Sequence, residues 1–391
     1  MLPFSLLYGL AVVVRNWFYD AGIFKSHSFD IPVISVGNLE VGGAGKSPMT
    51  EYLIRLLKSD YKLATLSRGY GRKTEGYLEA GVGLISKNQE SRTRGQKSEV
   101  DGSPLRLTPD SHRDHNPQPT AHHSPLATQI GDEPAQFKYK FPDITVAVCE
   151  DRVKGIRTLS PNHDLILLDD AYQHRAVEPG LSILLFDYNR LNETRFLLPA
   201  GNLREPFSGR WRAQAIIVTK CPLSLKPDAQ AELAKKVKPL SYQQLFFTSI
   251  AYQQLQDLNG AKVNFIIDKD TTVFLLTGIA NPQPLKKHLD NLAAHVVHHN
   301  YPDHHPFTLK NITKLADEFL TCSSAKKIII TTEKDAQRLE QSWFNKGLAT
   351  DDNPPVFVIP IQVEFLNESG QQFNRLIFDY VREHTAFGGL H

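Results

Sequence analysis

Residues 37–50 read GNLEVGGAGKSPMT, a glycine-rich stretch between an apolar run and a helical pattern. The apolar run is Ile31 to Val36, and apolar residues at helical spacing follow the stretch at Tyr52, Leu53, Leu56 and Leu57. A glycine-rich turn from strand to helix directs backbone N–H groups and a helix N-terminus at one point, which suits a phosphate group. The stretch therefore predicts the nucleotide-binding strand, loop and helix of an α/β fold.

The loop departs from the standard phosphate-loop spacing, because Glu40 stands five residues before Gly45, where a glycine is expected. Glu40 adds negative charge beside an anionic nucleotide unless its side chain faces solvent. The chemical parts are kept, since Lys46 is placed to reach the terminal phosphates of ATP and Ser47 to offer its hydroxyl to Mg²⁺. The residues whose backbone would approach the phosphates are Gly42, Gly43, Ala44 and Gly45. The alternative is a tight turn without a ligand, which a Gly-Lys-Ser in this position disfavours.

The composition is that of an ordinary globular chain of 391 residues, 41% of them hydrophobic, and the length predicts two domains. The formal net charge is only +2, so no global field indicates nucleic acid as a partner. Cys149, Cys221 and Cys322 are odd in number and far apart, which disfavours disulfides and thiolate metal sites and fits a reducing cytoplasm. No obligate protein partner is predicted.

Residues 1–25 contain an apolar stretch, Leu2 to Val14, that is too short to span a bilayer, which needs about 20 residues. The stretch also lacks the basic start and the cleavage site of a signal peptide. Arg15, Trp17 and Tyr19 follow it, and aromatic residues beside cations suit a lipid headgroup region. Two alternatives stay open: a helix that lies on a membrane surface, or one that caps the core of the first domain.

Apolar runs typical of buried strands alternate with helical patterns, which predicts a parallel sheet flanked by helices, as in P-loop NTPases. In the first domain, residues 26–255, the predicted strands are Ile31–Val36, Leu63–Ser67, Ile144–Cys149, Leu165–Leu168, Ile183–Phe186 and Ile216–Thr219. A second, smaller α/β lobe is predicted for residues 256–391, with strands at Val273–Leu276, Ile328–Thr331 and Val356–Ile361 and helices at 284–293, 308–320 and 371–384.

Residues 85–128 interrupt this alternation. They are polar, rich in Pro, Ser and His, and almost free of large apolar side chains, which predicts a disordered surface insertion. A metal site is disfavoured there because such a segment offers no preorganised geometry to its histidines, His112, His115, His122 and His123.

The run LILLDD, residues 165–170, ends a predicted buried strand with two carboxylates, Asp169 and Asp170. In phosphoryl-transfer enzymes an acid in such a position helps to hold Mg²⁺. Strands also end in aspartate merely to cap a turn, so it is the pairing with the glycine-rich loop that favours a metal role. A guanine-specific Asn-Lys-x-Asp is missing, because the nearest strand end reads VTKCP at 218–222, and Val41 stands where partition-type ATPases have a lysine.

Polar clusters stand where several strands should end: SRGYGRKT (67–74), GDEPAQ (131–136), DDAYQHR (169–175), LLPAGNLREP (197–206), TGIANPQP (277–284), YPDHHPFT (301–308) and TTEKDA (331–336). In order and wording these clusters resemble the tetraacyldisaccharide 4'-kinase family, the lipid A 4'-kinases, over nearly the whole chain. The resemblance implies transfer of a phosphoryl group from ATP, with Mg²⁺, to the 4'-hydroxyl of an acylated glucosamine disaccharide 1-phosphate, which gives lipid IVA. It also implies a peripheral enzyme on the cytoplasmic face of the bacterial inner membrane, docked through its N-terminal helix.

The resemblance further implies roles for single residues. Asp132 of GDEP corresponds to the base that takes the proton from the acceptor hydroxyl, and His304 to the partner that orients it. Arg68 corresponds to a cation near the transferred phosphate or the acceptor, and Lys46 to a catalytic cation as well as a nucleotide contact. The implied metal ligands are Ser47, Glu133, Asp169 and Asp170. The implied nucleotide contacts beyond the glycine-rich loop are Glu333, Lys334 and Asp335.

Other interpretations of the residues stay open. Asp132, before Glu133 and Pro134, also suits the N-cap of a helix. For the whole chain, one alternative is another P-loop NTPase that couples hydrolysis to a conformational change at the membrane, which needs the glycine-rich loop but no base for an acceptor. The other is a non-catalytic protein that lies on the membrane through its first helix and binds a nucleotide only for regulation.

Overall fold

Two β-sheets organise the chain, which the computed structural model describes over residues 1–81, 126–339, 343 and 355–388. The larger sheet contains β1 (Val33–Asn38), β2 (Leu63–Ser67), β3 (Leu78–Glu79), β4 (Thr145–Val148), β5 (Leu165–Asp169), β6 (Leu181–Asp187), β7 (Ala215–Thr219), β8 (Gln244–Tyr252) and β13 (Ile361–Phe365). The smaller sheet contains β9 (Thr271–Thr277), β10 (His295–Asn300), β11 (Lys326–Thr332) and β12 (Val356–Ile359). The predicted α/β class is confirmed.

The helices are α1 (Leu2–Asp20), α2 (Lys46–Leu57), α3 (Leu126–Ile130), α4 (Asp132–Lys140), α5 (Arg152–Leu159), α6 (Pro227–Val237), α7 (Gln283–Leu292), α8 (Leu309–Thr321), α9 (Glu333–Ala336) and α10 (Gly370–Gly388). Short 3-10 turns occupy Ser160–Asn162, Tyr188–Arg190, Phe207–Arg212 and Leu366–Glu368. Local chemistry sets some of these boundaries. Asp151 caps α5 by accepting from the Lys154 N–H, and Thr308 with Asn311 forms a capping box at α8.

Strand β1 lies in the middle of the larger sheet, whose order is β13-β8-β7-β6-β1-β5-β2-β4-β3. Its neighbours are parallel to it, and antiparallel pairing occurs at the two ends, between β13 and β8 and between β3 and β4. Every residue of β1 is buried, as its apolar run predicted. The carboxyl ends of parallel strands meet at one edge of a sheet, and ligands bind there. The loops after β1, β5 and β2 therefore lie side by side at what we term the carboxyl edge.

Helices cover both faces of the larger sheet. On one face lie α2, α4 and α10, which contribute Leu53, Phe137 and Phe373 to a common core. On the other face lie α5 and α6, with Ile156 and Leu233 buried against the strands. The helix after the glycine-rich loop and the helix that begins at Asp132 thus share one face.

The chain returns to the larger sheet after β12. Strand β13 pairs with β8, and α10 packs on the same sheet, where the Tyr380 hydroxyl bonds the N–H and the carbonyl of Val33 at 3.0 and 3.1 Å. The smaller sheet thus consists of strands between Thr271 and Ile359. The division into domains at 26–255 and 256–391 stays a prediction. The two sheets do not follow these bounds, because β13 and α10 belong with the larger sheet.

Each predicted strand is present, most with shifted ends, but β3, β8, β10 and β13 were not predicted. The clearest case is β10. Its sequence, HVVHHN, has only two apolar residues, because β10 is an edge strand of the smaller sheet and is only partly buried. The predicted insertion at 85–128 lies outside the described residues, as do its four histidines, except for 126–128. Those three residues begin α3, where Ala127 and Ile130 are buried, which corrects the predicted end of the insertion.

Helix α1 turns its small and polar residues toward the protein. Ser5, Gly9 and Val12 are buried, whereas Leu6 and Leu10 are 74% and 62% exposed. The large apolar side chains of α1 therefore do not cap the core, contrary to one of the two alternatives. None of the described helices is both long and apolar enough to cross a bilayer.

Lys140, the last residue of α4, forms ion pairs with one residue beside each of the two sheets. Its Nζ lies 2.5 Å from Glu51 Oε2 of α2 and 2.6 Å from Glu333 Oε1 of α9. Glu51 is only 1% exposed and Glu333 only 8% exposed, so both carboxylates depend on protein partners. Glu51 has two further partners, Arg55 and Gln136.

We expect Lys140→Met to lower the free energy of unfolding by about 3–5 kcal/mol, the usual cost of removing one partner from a buried ion pair. Among the described groups, Glu333 then keeps the Ile361 N–H, at 3.2 Å, as its partner. Lys58→Met is the matched control, because Lys58 pairs with the 78% exposed Asp143, and such surface pairs contribute about 0–1 kcal/mol. Urea unfolding of the three proteins measures the difference.

The loss in Lys140→Met should also depend on pH. Burial and then the charge of Glu51 raise the pKa of Glu333, while Lys140 opposes the rise. Without Lys140 the pKa rises further, so the folded variant binds a proton that the unfolded chain has released. Its stability is kept below the ordinary pKa of glutamate and falls as the pH rises through the raised value, so the deficit is larger at about pH 8 than at about pH 5. Equal deficits at both pH values would contradict this account.

Candidate active site

The glycine-rich loop lies at the centre of the carboxyl edge, between β1 and α2. Gly42 and Gly45 have φ angles of 109° and 86°, a left-handed conformation that glycine adopts without a steric cost. Gly45 is the N-cap of α2, and Lys46 and Ser47 form the first turn of the helix. The first N–H groups of a helix lack partners within it, so this turn can bind an anion.

Residues at the end of β7 support the loop. The Thr219 hydroxyl donates to the carbonyl of Ala44 at 2.8 Å, and Lys220 Nζ donates to the carbonyl of Gly43. Lys220 Nζ also lies 2.7 Å from Asp187 Oδ2 at the end of β6. Residues at the ends of β6 and β7 therefore hold the loop. The sequence VTKCP supplies two of them, Thr219 and Lys220.

Glu40 does not face solvent. Its side chain is 15% exposed, and its Oε2 lies 3.6 Å from Arg190 Nε. Arg190 Nη1 also donates to the carbonyl of Val41 at 2.5 Å. Burial raises the pKa of Glu40, although Arg190 opposes the rise. The extra acid of the loop is therefore held by a cation that also bonds the loop backbone.

Asp169 and Asp170 end β5 beside the loop. The Thr50 hydroxyl of α2 donates to Asp169 Oδ1 at 2.9 Å, and Lys46 Nζ lies 3.6 Å from Asp170 Oδ1. Burial, and then the charge of Asp170, raises the pKa of Asp169 to about 7. The structure therefore brings the predicted phosphate-binding lysine and the two predicted metal carboxylates together.

The oxygen donors of Ser47, Asp169 and Asp170 fit Mg²⁺, which proteins commonly bind through one or two carboxylates together with phosphates and water. The raised pKa of Asp169 reflects its burial first and then the charge of Asp170, and a divalent cation would offset both. Within the ranges that the structure describes, no group of three or more His, Cys, Asp or Glu side chains is arranged to hold a metal ion. The donor set thus fits a cation whose coordination is completed by a phosphate.

Arg204 is a site residue that the sequence analysis did not identify. Its Nη1 donates to both carboxylate oxygens of Asp170, at 3.1 and 3.2 Å, and its carbonyl accepts from the Tyr8 hydroxyl of α1 at 2.7 Å. The next residue, Glu205, is fully buried and accepts from Arg212. The motif LLPAGNLREP indicated this segment, but only the fold brings its arginine to the end of β5.

His304 and Asp132 meet across the two sheets. His304 Nδ1 lies 2.8 Å from Asp132 Oδ2, although 172 positions separate them in the chain. Asp132 is the first residue of α4, whose N-cap is Gly131, so the N-cap alternative for Asp132 is wrong. His304 has a φ of 58° and donates its N–H to the carbonyl of Gly278 at 3.0 Å. This turn of the smaller sheet presents the imidazole to α4.

Lys334 of α9 sets the hydrogen-bonding roles of His304. Its Nζ lies 3.1 Å from His304 Nε2. An ammonium group can only donate, so Nε2 accepts, and Nδ1 carries the hydrogen that Asp132 accepts. Lys334 Nζ also lies 3.0 Å from Glu133 Oε1, which places this predicted metal ligand in an ion pair.

Arg338 brings a second positive charge to Asp132. Its Nε lies 3.6 Å from Asp132 Oδ2 and is buried, without a hydrogen-bond partner among the described residues. Burial raises the pKa of Asp132, but the hydrogen bond with His304 and the charge of Arg338 outweigh burial and lower the pKa below its ordinary value. Asp132 is therefore an ionised carboxylate at neutral pH. Nothing in the sequence TTEKDAQR marked this arginine.

The side chains of Glu333 and Asp335 contact protein groups. Glu333 pairs with Lys140, and the fully buried Asp335 accepts from the Gly278 N–H at 3.1 Å and from the Thr332 hydroxyl at 2.7 Å. These contacts favour a structural role for both residues at the end of β11. Their contact with a nucleotide stays a prediction.

Arg68 follows β2 directly and is exposed. It makes no hydrogen bond or ion pair with any other described residue. Nearby, the ring of Tyr70 lies 5.6 Å from that of His304, between ring centroids. The motif SRGYGR thus lies beside the His304–Asp132 pair.

The chain is similar over nearly its whole length to one enzyme family. A family model described as tetraacyldisaccharide-1-P 4'-kinase matches residues 1–98 and 93–381. A tetraacyldisaccharide 4'-kinase of Phocaeicola vulgatus is 41% identical over 393 residues, which cover 98% of this chain and 95% of that protein. One of Flavobacterium johnsoniae is 40% identical, over 98% of this chain and 97% of that protein.

A solved structure is similar as well. It is LpxK from Aquifex aeolicus in complex with ATP, and it is 26% identical to this chain with a TM-score of 0.65. The similarity covers 97% of this chain and 98% of that one, so it includes both sheets.

We expect Arg338→Gln to raise the pKa of Asp132, because it removes one of the charges that lower this pKa. Carboxyl ¹³C NMR of aspartate-labelled protein during acid titration measures the pKa, and Asp132→Asn assigns the signal. Arg382→Gln, on the exposed side of α10, is the control and should leave the pKa unchanged. An unchanged pKa in folded Arg338→Gln would mean that His304 and Lys334 keep Asp132 ionised without Arg338.

Proposed function

The chain belongs to the tetraacyldisaccharide 4'-kinase family, and from this membership we propose how its residues carry out the transfer. Its reaction is the ATP-dependent phosphorylation of the 4'-hydroxyl of a tetraacylated glucosamine disaccharide 1-phosphate in lipid A biosynthesis. The family that the seven motifs indicated is confirmed, and so is the enzyme class.

Asp132 is the base for the acceptor hydroxyl in this proposal. The observation that carries the assignment is the 2.8 Å contact between His304 Nδ1 and Asp132 Oδ2, made by residues of different sheets. A hydrogen bond to Oδ2 fixes the orientation of the carboxylate, and no hydrogen bond from another described residue ends at Oδ1. That oxygen is therefore available to a sugar hydroxyl.

The phosphoryl group passes directly from ATP to the acceptor, without a covalent intermediate on the enzyme. The 4'-oxygen forms a bond to the γ-phosphorus of ATP while the bond from that phosphorus to the β,γ-bridging oxygen breaks, and ADP leaves. The proton of the hydroxyl passes to Asp132. The lowered pKa of Asp132 suits a loose transition state, in which the hydroxyl becomes acidic only as the new bond forms. His304 keeps its Nδ1 hydrogen and acts as the orienting donor.

The glycine-rich loop is the proposed site for the ATP phosphates. The unpartnered N–H groups at the start of α2 support this, because they face an anion without rearrangement. Lys46, 3.6 Å from Asp170, supplies a cation at the terminal phosphates. We propose that Mg²⁺ is held by Ser47, Asp169 and Asp170, where it would neutralise charge on the transferred group. Glu133 is a further candidate ligand, but its carboxylate already pairs with Lys334.

The alternative is an NTPase that couples hydrolysis to a conformational change. Such an enzyme also needs a residue that orients the attacking water, so the His304–Asp132 pair fits either acceptor. The family match over nearly the whole chain supports transfer to a second substrate.

Helix α1 is the proposed membrane contact, on the cytoplasmic face of the inner membrane. It is anchored to the protein by Ser5, whose hydroxyl donates to the Leu197 carbonyl at 2.7 Å, and by Tyr8, which bonds Arg204. Its apolar side chains point outward, the reverse of a helix on a water-exposed surface. Since Arg204 also bonds Asp170, the same helix brings a lipid surface close to the acidic pair.

We expect Asp132→Asn to reduce ATP-dependent phosphorylation of the detergent-dispersed acceptor by about 100-fold or more, the scale of general-base catalysis. The KM for ATP should change little, because the proposed contact of Asp132 is with the acceptor hydroxyl and not with the nucleotide. Asp143→Asn, at an exposed position, is the control. Transfer within about threefold of wild type by folded Asp132→Asn would remove the base assignment, and absence of transfer by the wild type would overturn the reaction.

We expect Leu6→Gln/Leu10→Gln to weaken binding to phospholipid vesicles, because it removes two exposed apolar side chains from α1. The matched control is Leu223→Gln/Ile266→Gln, which changes side chains that are 64% and 79% exposed outside α1. Vesicle flotation measures the bound fraction. Equal binding by both double variants would contradict a membrane contact through α1.

A further inference from the structure

The glycine-rich loop leaves N–H groups available on one side because its carbonyls are bonded on the other. The carbonyl of Ala44 accepts from the Thr219 hydroxyl at 2.8 Å, and the carbonyl of Gly42 accepts from the Ala44 N–H at 3.1 Å. A trans peptide directs its N–H away from its own carbonyl, so the N–H groups of Gly45 and Gly43 point the opposite way. Neither donates to a residue that the structure describes, so both can bind an anion.

Arg190, which follows β6 closely, acts on the first peptide of the loop. Its Nη1 donates to the carbonyl of Val41 at 2.5 Å, so the N–H of Gly42 in the same peptide points away from the guanidinium. This N–H also has no acceptor among the described residues. A β-carbon at Gly42 would lie only 3.1 Å from Nη1, so the cation packs directly on the loop. Arg190 therefore orients one of the N–H groups that a phosphate can reach.

Acidic side chains hold Arg190 in this position. Its Nε lies 3.6 Å from Glu40 Oε2 and 3.2 Å from Glu193 Oε2. Glu193 Oε2 also accepts from the side-chain amide of Asn202 at 3.0 Å, and the Asn202 carbonyl accepts from the Val41 N–H at 2.8 Å. These contacts form a closed ring that starts at the carbonyl of Val41 and ends at its N–H.

Glu40 makes the charge of Arg190 necessary for an anionic ligand. Its side chain is largely buried, so water and salt screen its charge poorly. Burial raises the pKa of Glu40, and Arg190 is the strongest influence that opposes the rise. The charges of Glu193 and Asp187 add to the rise, and Arg195 opposes it only weakly. Arg190 is thus the main counter-charge of an acid that belongs to the loop.

We propose that Arg190 is a positioning residue for the nucleotide. It directs the Gly42 N–H toward a phosphate and neutralises the charge of Glu40, while Glu40 and Glu193 keep the guanidinium against the loop. This inference rests on the proposed function, because it takes the loop as the ATP site. Arg190 acts from behind the loop, where its Nη1 and Nε are already bonded to the backbone and to the acids.

The test is a double-mutant cycle at Arg190 and Glu40, measured as the Kd for ATP with Mg²⁺ in the absence of acceptor, and as the KM and kcat of transfer. We expect Arg190→Gln to raise the Kd and the KM for ATP about tenfold or more, because the bond to Val41 and the counter-charge of Glu40 are both lost. The kcat and the KM for the acceptor should change less than about threefold, because the loss is confined to nucleotide binding.

The second arm of the cycle repeats the change without the acid. Glu40→Gln alone should leave the Kd for ATP within about threefold of wild type, because Glu193 still holds Arg190. Adding Arg190→Gln to Glu40→Gln should raise the Kd only about threefold, since a bond is lost but no acid is left unpaired at position 40. The double variant therefore tests the bond to Val41 even if Arg190→Gln alone does not fold.

Arg195→Gln is the matched control. Arg195 influences the pKa of Glu40, but its Nη2 donates to the Lys236 carbonyl and not to the loop. We expect Arg195→Gln to keep the Kd for ATP within about threefold of wild type, as for a surface charge. Equal losses in Arg190→Gln and Arg195→Gln would overturn the proposal, because any nearby positive charge would then serve.

Three further results would overturn the proposal. Binding of ATP by Arg190→Gln as tight as that of wild type would leave Arg190 without a positioning role. An equal rise of the Kd with and without Glu40 would remove the neutralising role. A fall of kcat together with a raised KM for both substrates would mean that Arg190 only supports the fold. A wild type that binds ATP but transfers no phosphate would contradict the proposed function instead, and the binding cycle could still be measured.

Discussion

Lys140 makes it possible for two separate sheets to share one site. Glu51 belongs to the helix after the glycine-rich loop, and Glu333 begins the helix at the end of β11. Glu51 also pairs with Arg55, but Lys140 is the cation that the described residues offer to Glu333, whose burial would otherwise be costly. Lys140 ends α4, the helix that begins at Asp132. Its ammonium group therefore links α4 to α2, which follows the glycine-rich loop, and to α9, which follows the smaller sheet's β11.

The contact between His304 and Asp132 depends on this link between the two sheets. His304 is presented by a left-handed turn of the smaller sheet, and Lys334 and Arg338 come from the segment after β11. The larger sheet supplies the carboxylate and the smaller sheet supplies every cation that keeps it ionised. A change in the distance between the sheets would therefore alter the orientation and the pKa of Asp132 together.

Arg204 connects the carboxyl edge to the surface of the molecule. Its guanidinium donates to Asp170 and its carbonyl accepts from Tyr8 of α1, so two hydrogen bonds link the acidic pair to the exposed apolar helix. The proposed metal carboxylates and the proposed membrane contact are therefore linked through one residue.

The sequence by itself determined the order of strands and helices, the glycine-rich loop and the acids after β5, because these follow from local periodicity and from the conformations that glycine permits. Seven motifs also identified the family, and with it Asp132 and His304 as the candidate base and its partner. Tertiary structure alone decided that Glu333 and Asp335 contact protein groups, that β13 and α10 return to the larger sheet, and that Arg204 and Arg338 lie against Asp170 and Asp132. The physical reason is that burial and charge pairing depend on neighbours distant in the chain, and no local pattern records which cation a buried carboxylate will meet.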